Sequence, residues 1–344
     1  MIKVVAPRVH RTPSGNRYES TARMIVEGSA PKEEIVNMLR DMNERGIDAD
    51  DLQNLAAAFR RATLPATTRF PVVADLCGTG GGTVRTFNIS TIASLVVAGA
   101  GVPVAKHGNR SNAGRCGSAD LIEALGADLR LSPSECGDIL DAVGFGFFFA
   151  QKCNPAMRNA AEARKEVGGS TVFNVLGPLL NPVLARRRQL IGVYDRSLLD
   201  PIAKALDAVG VEGAMLVHGN PGMDEVSILG QTEAVLVEEG ALDRFVIDPS
   251  DLGFNLGAAC ALADRTPAES AELALSILSG DERSTPRDAV VLNAGCGLRA
   301  FRRSGSIEEG IRLAEHSIDS GSALRKLRDF LAANERVASR REGR

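Results

Sequence analysis

Two stretches within residues 1–66 carry apolar side chains at positions i, i+3, i+4 and i+7, the repeat of an amphipathic helix. They are Ile35, Met38, Leu39 and Met42 in the first stretch, and Leu52, Leu55, Ala56 and Phe59 in the second. Gly46 is placed to end the first helix, and Asp48 is placed to cap the second. We therefore predict a helical domain over residues 1–66.

From residue 71 onward the pattern changes to short apolar runs separated by helical segments. Residues 72–77 and 102–105 read as buried strands, and residues 90–99 between them read as a helix. A strand–helix–strand unit places its two strands in parallel, with the helix covering the sheet. The sequence therefore predicts an α/β fold, in which a small helical domain joins a large α/β domain with a central, mainly parallel sheet.

The alternation continues to the end of the chain and sets the expected domain limits. Ser132 and Glu135 have the spacing of a capping box, and Ser306 and Glu309 open a later helix in the same way. We expect residues 70–157 and 183–335 to form the α/β domain, and about 158–182 to rejoin the helical domain. The arginine-rich residues 336–344 are expected to form a flexible tail.

Composition and charge narrow the class of protein. The 344 residues carry a net charge of −3, so no overall positive field attracts nucleic acid. Six cysteines without metal or redox spacing indicate free thiols in a reducing compartment. No apolar run suits a signal peptide or a bilayer span, and we therefore expect a cytoplasmic protein with no membrane partner.

A glycine-rich turn follows the first predicted strand, over residues 78–83. Glycines allow backbone N–H groups to approach an anion closely, and the helix that follows adds the positive end of its dipole. The turn matches neither the Rossmann nor the Walker pattern, and it could also be no more than a tight turn. Polar residues 86–91 come next, where Ser90 or Thr91 would face the same anion, cap the helix, or do both.

Two further groups should lie at the same edge of the sheet. Residues 106–110, Lys-His-Gly-Asn-Arg, follow the second predicted strand, and Ser118 is placed as an N-cap that could also bind phosphate. Asp224 and Glu225 follow a strand predicted over residues 214–217. Neighbouring carboxylates beside a strand end suit Mg²⁺ that bridges phosphate oxygens, although such a pair is more commonly a solvated surface.

Taken in this order and spacing, these motifs resemble the anthranilate phosphoribosyltransferase family from about residue 33 to 331. The most specific matches are residues 106–111 with 117–120, and the segment 173–182, Phe-Asn-Val-Leu-Gly-Pro-Leu-Leu-Asn-Pro. The resemblance implies an enzyme of tryptophan biosynthesis that uses phosphoribosyl pyrophosphate, anthranilate and two Mg²⁺ ions, usually as a homodimer.

The resemblance also implies roles for individual residues, none of which acts as a catalytic acid or base. Phosphoribosyl pyrophosphate would be bound by Gly78, Gly81, Gly82, Thr86, Asn88, Ser90, Thr91, Lys106 and Ser118. Anthranilate would be bound by Gly78, Asn109 and Arg164, with Arg164 facing its carboxylate. Ser90 and Glu225 would bind one Mg²⁺, and Asp224 with Glu225 the other.

Four positions depart from the family pattern. They are Gly82 in place of aspartate, Thr83 in place of glycine, Asn154 in place of histidine and Ser170 in place of arginine. These changes leave open a related transferase with a different aromatic acceptor. A non-catalytic nucleic-acid-binding paralogue is a further alternative, and a pyrimidine nucleoside phosphorylase is disfavoured because Leu76-Cys77-Gly78 stands where those enzymes carry Lys-His-Ser.

Overall fold

The computed structural model describes residues 17–111 and 114–342 of the chain. Within them the helices are α1 Glu19–Glu27, α2 Lys32–Arg45, α3 Ala49–Ala62, α4 Ile89–Gly99, α5 Ser118–Ala124, α6 Pro133–Val143, α7 Ala150–Cys153, α8 Ala161–Val167, α9 Val172–Leu179, α10 Leu199–Ala205, α11 Pro267–Ser279, α12 Thr285–Ala300, α13 Ile307–Asp319 and α14 Ser322–Glu342. The strands are β1 Val72–Gly78, β2 Val104–Gly108, β3 Phe145–Phe149, β4 Arg186–Gly192, β5 Val211–Gly219, β6 Thr232–Glu238 and β7 Ala241–Ile247.

The strands form one sheet in the order β3-β2-β1-β4-β5-β6-β7. Strands β3 to β5 in that order are parallel to one another, and β6 and β7 continue the sheet as antiparallel strands. The predicted α/β fold with a mainly parallel sheet is confirmed. Because parallel strands share a direction, the segments that follow β1, β2, β4 and β5 all begin at the same edge of the sheet.

The second strand lies further along the chain than predicted. It runs over Val104–Gly108 rather than residues 102–105, because Lys106, His107 and Gly108 pair in parallel with β3. The expectation that residues 106–108 belong to the loop after the strand was therefore wrong. Lys106 and His107 are strand residues, 2% and 6% exposed.

Helix α4 is the most apolar part of the α/β core. Its residues Ile92 to Ala98 are all buried, and α12 and α14 pack against it. The only hydroxyl among them, on Ser94, donates to the carbonyl of Ser90 at 2.7 Å. A helix that is apolar on every side must be enclosed by other elements, and this one begins at Ile89, after the glycine-rich turn in the chain.

The N-terminal helices and the segment around α8 and α9 bury their apolar side chains in a common cluster. Phe59 of α3 meets Phe173 of α9 edge-to-face, with ring centroids 5.6 Å apart. Asp48 caps α3 as predicted, since its carboxylate accepts from the Asp51 N–H, and the Asp51 carboxylate accepts from the Asp48 N–H. These contacts are those expected if residues 158–182 join the helical domain, and the division into domains remains a prediction.

Residues 336–342 are helical, so the expectation of a flexible tail over residues 336–344 was wrong for them, and residues 343–344 lie outside the described residues. Helix α14 continues to Glu342, and the Arg341 guanidinium donates to the carbonyl of Arg130 at 2.8 Å. Val337 and Ala338 of α14 pack on the core, and the helix therefore continues past residue 335, the predicted end of the α/β domain. None of the helices in the described part of the chain has the length and apolar character needed to cross a bilayer.

Candidate active site

The loops that follow β1 and β5 meet at the edge where the parallel strands end. Gly78, the last residue of β1, is aligned with Gly192, the last residue of β4. A Cβ atom on Gly78 would overlap the Asp224 carboxylate, and one on Gly192 would overlap the Asp224 carbonyl. Glycine is required at both positions, so that the backbone carrying Asp224 and Glu225 can lie against these strand ends.

Each carboxylate of the acid pair is bound by the glycine-rich turn or the residues after it. The Gly80 N–H donates to Asp224 Oδ2 at 2.7 Å, and the Thr86 hydroxyl donates to Glu225 Oε1 at 2.9 Å. Glu225 Oε2 is buried and has no hydrogen-bond partner among the described residues. The sequence suggested a metal site at this pair, and the structure places there one oxygen that lacks a donor.

The electrostatics of the pair favour a bound cation. Burial raises the pKa of Asp224, and the Gly80 N–H and Lys106 only partly oppose that effect. The pKa of Glu225 is raised well above its ordinary value by burial and then by the charge of Asp224. Two carboxylates that are costly to ionise together become stable as anions beside a divalent ion. In the described part of the chain no third histidine, cysteine or carboxylate joins them, so remaining ligands would come from water and substrate.

The start of α4 holds two more unsatisfied polar atoms. Asn88 Oδ1 and Thr91 Oγ1 are buried and, within the described residues, accept or donate no hydrogen bond. The Asn88 amide donates instead to the Cys116 carbonyl at 3.0 Å. Helix α4 begins at Ile89, so the proposal that Ser90 or Thr91 caps it was wrong, because both hydroxyls lie inside the first turn.

Lys106 is buried between β1 and the start of α4 rather than beside open solvent. Its ammonium donates to the carbonyl of Leu76 and to Ser90 Oγ, the latter at 3.3 Å. Burial lowers its pKa, and the charges of Asp75 and the acid pair oppose that shift. The lysine thus connects β1, β2 and the start of α4, and it brings a positive charge close to the acid pair.

His107 is neutral and held on both ring nitrogens. Its Nδ1 lies 3.2 Å from the carbonyl of Gly177, which can only accept, so Nδ1 carries the proton. Its Nε2 then accepts from the Asn154 amide at 3.2 Å. Burial lowers the His107 pKa to about 4, so the ring stays uncharged at neutral pH. Asn154, one of the four departures from the family pattern, is 5% exposed, and its Oδ1 accepts from the Thr63 hydroxyl at 2.6 Å.

Beyond β2, the backbone carbonyl of Asn109 accepts from the Ser118 hydroxyl at 3.3 Å and from the Ala119 N–H at 3.1 Å. Ser118 is the first residue of α5 and not its cap. Gly117 occupies the cap position, because the Asp120 carboxylate reaches back to its N–H at 2.8 Å. Arg110 points away from this group and forms ion pairs with Asp120 and Glu123, both at 2.7 Å.

The residues expected around the acceptor come from the segment that packs on the N-terminal helices. The guanidinium of Arg164, on α8, lies 5.5 Å from the centroid of the Phe173 ring, and burial lowers its pKa. Among the described contacts, none connects Arg164 directly to the acid pair. Ser170, another departure, reaches the glycine-rich turn, since a Cβ atom on Gly81 would overlap its hydroxyl.

The structure brings most of the predicted site residues together at this edge. The joined residues are Gly78, Gly81, Gly82, Thr86, Asn88, Ser90, Thr91, Lys106, Asp224 and Glu225, with Asn109 and Ser118 beside β2. Sequence reasoning missed Asp75, a fully buried carboxylate that accepts from the His107 N–H at 3.3 Å and the Asn181 amide at 2.9 Å. A charged residue inside an apolar strand was the available signal for it. The ligands that these residues bind remain predictions.

Comparison with known proteins identifies the family. The model of a glycosyl transferase family α/β domain matches residues 71–324. A curated relative, anthranilate phosphoribosyltransferase of Rubrobacter xylanophilus, is 42% identical over 95% of this chain and 95% of its own length.

Solved structures agree with that match. The anthranilate phosphoribosyltransferase of Thermus thermophilus superposes with a TM-score of 0.87 at 37% identity, over 94% of this chain and 97% of that one. The Saccharomyces cerevisiae enzyme in complex with PRPP and Mg superposes with a TM-score of 0.86 at 29% identity, over 94% and 93%. The chain therefore belongs to the anthranilate phosphoribosyltransferase family.

Proposed function

We propose that this chain transfers the phosphoribosyl group of phosphoribosyl pyrophosphate to the amine of anthranilate, with release of pyrophosphate, as a step of tryptophan biosynthesis. One observation carries the proposal for the site. Of the nine buried side-chain atoms that lack partners among the described residues, Asn88 Oδ1 and Thr91 Oγ1 lie in the segment after the glycine-rich turn, and Glu225 Oε2 belongs to the acid pair bound by that turn and segment. Buried polar atoms without partners are rare in native proteins. A bound phosphate would accept from the Thr91 hydroxyl, whereas Glu225 Oε2 and the acceptor Asn88 Oδ1 would need a cation or a hydroxyl donor.

The donor would be held mainly by the turn after β1 and the start of α4. Backbone N–H groups of Gly78, Gly81 and Gly82 and the hydroxyls of Ser90 and Thr91 would donate to phosphate oxygens. Thr86 and Asn88 would line the same site, with their donors bonded to Glu225 and to the Cys116 carbonyl. Lys106 adds a charge, and Ser118 adds a hydroxyl from the side of β2. Fixed hydrogen-bond donors of this kind orient phosphoribosyl pyrophosphate without reorganisation of the protein during the reaction.

We assign Mg²⁺ to the acid pair, with one ion on Ser90 and Glu225 and a second on Asp224 and Glu225. The unpartnered Glu225 Oε2 and the raised pKa values of both acids support the assignment. When bound, Mg²⁺ would neutralise charge on the departing pyrophosphate. Its presence in the yeast relative supports the choice of metal, and the resemblance alone supports the number of ions.

The reaction needs departure of the leaving group more than it needs a base. The bond from the anomeric carbon to pyrophosphate breaks, a bond from that carbon to the anthranilate nitrogen forms, and the nitrogen loses a proton. Because an aromatic amine is already neutral at working pH, positioning it against the anomeric carbon is the main task left to the protein. Gly78, Asn109 and Arg164 would perform it, with Arg164 pairing with the anthranilate carboxylate.

The remaining expectations follow from the resemblance. We propose that the chain acts as a homodimer in the cytoplasm and binds neither nucleic acid nor membrane. The net charge of −3 supports the absence of a nucleic-acid partner.

The test is a fluorescence assay of anthranilate consumption with phosphoribosyl pyrophosphate and Mg²⁺. We expect the wild-type chain to consume anthranilate, and Asp224→Asn combined with Glu225→Gln to lower turnover by about 10²–10³, the scale of losing an electrostatic stabiliser. Asp243→Asn with Glu335→Gln is the matched control, since both residues lie on the surface of other elements. Near-normal turnover in the acid-pair variant would remove the metal assignment. A flat wild-type trace, with donor binding shown by calorimetry, would indicate a different acceptor.

A further inference from the structure

Thr83 joins the glycine-rich turn to the loop after β5 at a point that the acid pair does not reach. Its N–H donates to the carbonyl of Gly222 at 2.9 Å. Its hydroxyl donates to the carbonyl of Pro221 at 3.0 Å, with the Gly222 carbonyl at 3.4 Å. One residue therefore contributes both its backbone and its side chain to the same contact.

The two neighbouring glycines have room for nothing larger. Gly222 has φ of 112°, and a Cβ atom on it would overlap the Thr83 hydroxyl. A Cβ atom on Gly82 would lie 2.8 Å from the Gly222 carbonyl. A side chain at position 82, where the family pattern has aspartate, would therefore push these loops apart, whereas Gly82 followed by Thr83 lets them close.

Thr83 lies in the chain between the two residues that bind the acid pair. Gly80 binds Asp224 on one side of it, and Thr86 binds Glu225 on the other. The segment from Gly80 to Thr86 is thus attached to the loop after β5 at three successive points. Of these three attachments, the one through Thr83 uses no carboxylate oxygen of Asp224 or Glu225.

We propose that Thr83 is a positioning residue for the donor, in which its hydroxyl holds the turn after β1 against the acid-pair loop so that both meet the same magnesium-bound diphosphate. The proposal rests on the proposed function. Thr83 does not touch the reacting atoms. It joins the two loops directly after Gly82, the position where a side chain would separate them.

The experiment compares Thr83→Val, which keeps the branched shape and loses the hydroxyl, with Thr83→Ser, which keeps the hydroxyl. Calorimetric titration with phosphoribosyl pyrophosphate and Mg²⁺ gives the donor Kd, and steady-state assays give KM for each substrate. We expect Thr83→Val to raise the donor Kd and KM by about 3- to 10-fold, the worth of one hydrogen bond. The anthranilate KM should stay within about twofold, and Thr83→Ser should restore donor binding. Thermal unfolding of each variant verifies that it is folded.

Donor binding by Thr83→Val that equals wild type would overturn the proposal. So would an equal rise of both KM values, or a failure of Thr83→Ser to restore binding, because either would mark a general structural effect. Calorimetry does not require transfer. A wild-type chain that binds the donor and leaves anthranilate unchanged would therefore reject the proposed reaction while the Thr83 comparison still decides this proposal.

Discussion

The surroundings of Glu225 lower the stability of the folded protein without ligand and favour the binding of a cation. One carboxylate oxygen is held by Thr86 and the other is buried with no partner among the described residues. Burial and the charge of Asp224 raise the pKa of Glu225 well above its ordinary value. The protein without ligand therefore carries a carboxyl group whose ionisation the environment opposes, which is the expected state of a site completed by a cation.

That state predicts an unusual pH dependence of stability. Above the ordinary glutamate pKa of 4.5, the unfolded chain releases the Glu225 proton while the folded chain retains it up to its raised pKa. Stability without metal should therefore fall as pH rises through that window. We expect Glu225→Gln, measured in chelator, to unfold on the order of 2 °C above wild type at pH 8, and to show no advantage near pH 4.5.

The control for this measurement is Glu335→Gln, which changes an exposed carboxylate on α14. It should unfold with wild type at both pH values. If Glu225→Gln unfolds below wild type at pH 8 in chelator, the burial of Glu225 is not costly, and the argument for a cation beside it is lost.

The sequence identified which residues belong to the site better than it predicted their burial and protonation. The sequence identified Lys106 as a site residue, and its burial follows from β2 continuing to Gly108. That extension depends on pairing with β3, a strand much later in the chain, which no local pattern contains. For the same reason the neutral state of His107, which its burial enforces, could not be read from residues 106–110.

At the scale of elements, the local rules worked where the signal was local. The cap of α3 at Asp48 and the capping box of α6 at Ser132 and Glu135 are both present as predicted. Each depends on residues three positions apart, which sequence shows directly. The start of α5 was misjudged by one residue, because Gly117 with Asp120 satisfies the cap that Ser118 was expected to supply.

The joining of elements was predictable only in part. Parallel strands imply that their carboxyl ends lie at one edge, so the meeting of residues 78–83 with the loop after β5 could be expected from sequence. The close contact between them could not, because it depends on Gly192 and Gly222 lying against atoms of distant residues. Sequence reasoning accordingly treated Thr83 as a mere departure from a pattern, although it bonds to Pro221.

At the scale of the whole molecule, the carboxylate of the acceptor would be held by a different part of the chain from the phosphoribosyl donor. The donor residues lie on the sheet edge, whereas Arg164 lies on α8, which packs against α2. Helix α8 and the N-terminal helices share one apolar cluster, separate from the cluster around α4. Acceptor binding is therefore expected to be separable from donor binding by mutation.

Arg164→Ala tests that separation. We expect it to raise the KM for anthranilate by about 10-fold or more, the loss of one charged hydrogen-bonded pair, and to leave the KM for phosphoribosyl pyrophosphate within about twofold. Steady-state kinetics with each substrate varied in turn provide the measurement. Arg158→Ala, on the turn before α8, is the matched control. Equal effects of Arg164→Ala on both substrates would place Arg164 outside the acceptor site.

The central claim is that the loops after β1, β2 and β5, at one edge of the sheet, surround one metal-bound diphosphate. A crystal structure of the chain with phosphoribosyl pyrophosphate and Mn²⁺, whose anomalous scattering locates the metal, tests it most directly. We predict metal density within about 2.0–2.3 Å of Glu225 Oε2, and diphosphate oxygens bonded to the turn over residues 78–83. Metal and diphosphate bound together at another surface, with Glu225 Oε2 still unpartnered, would contradict the account.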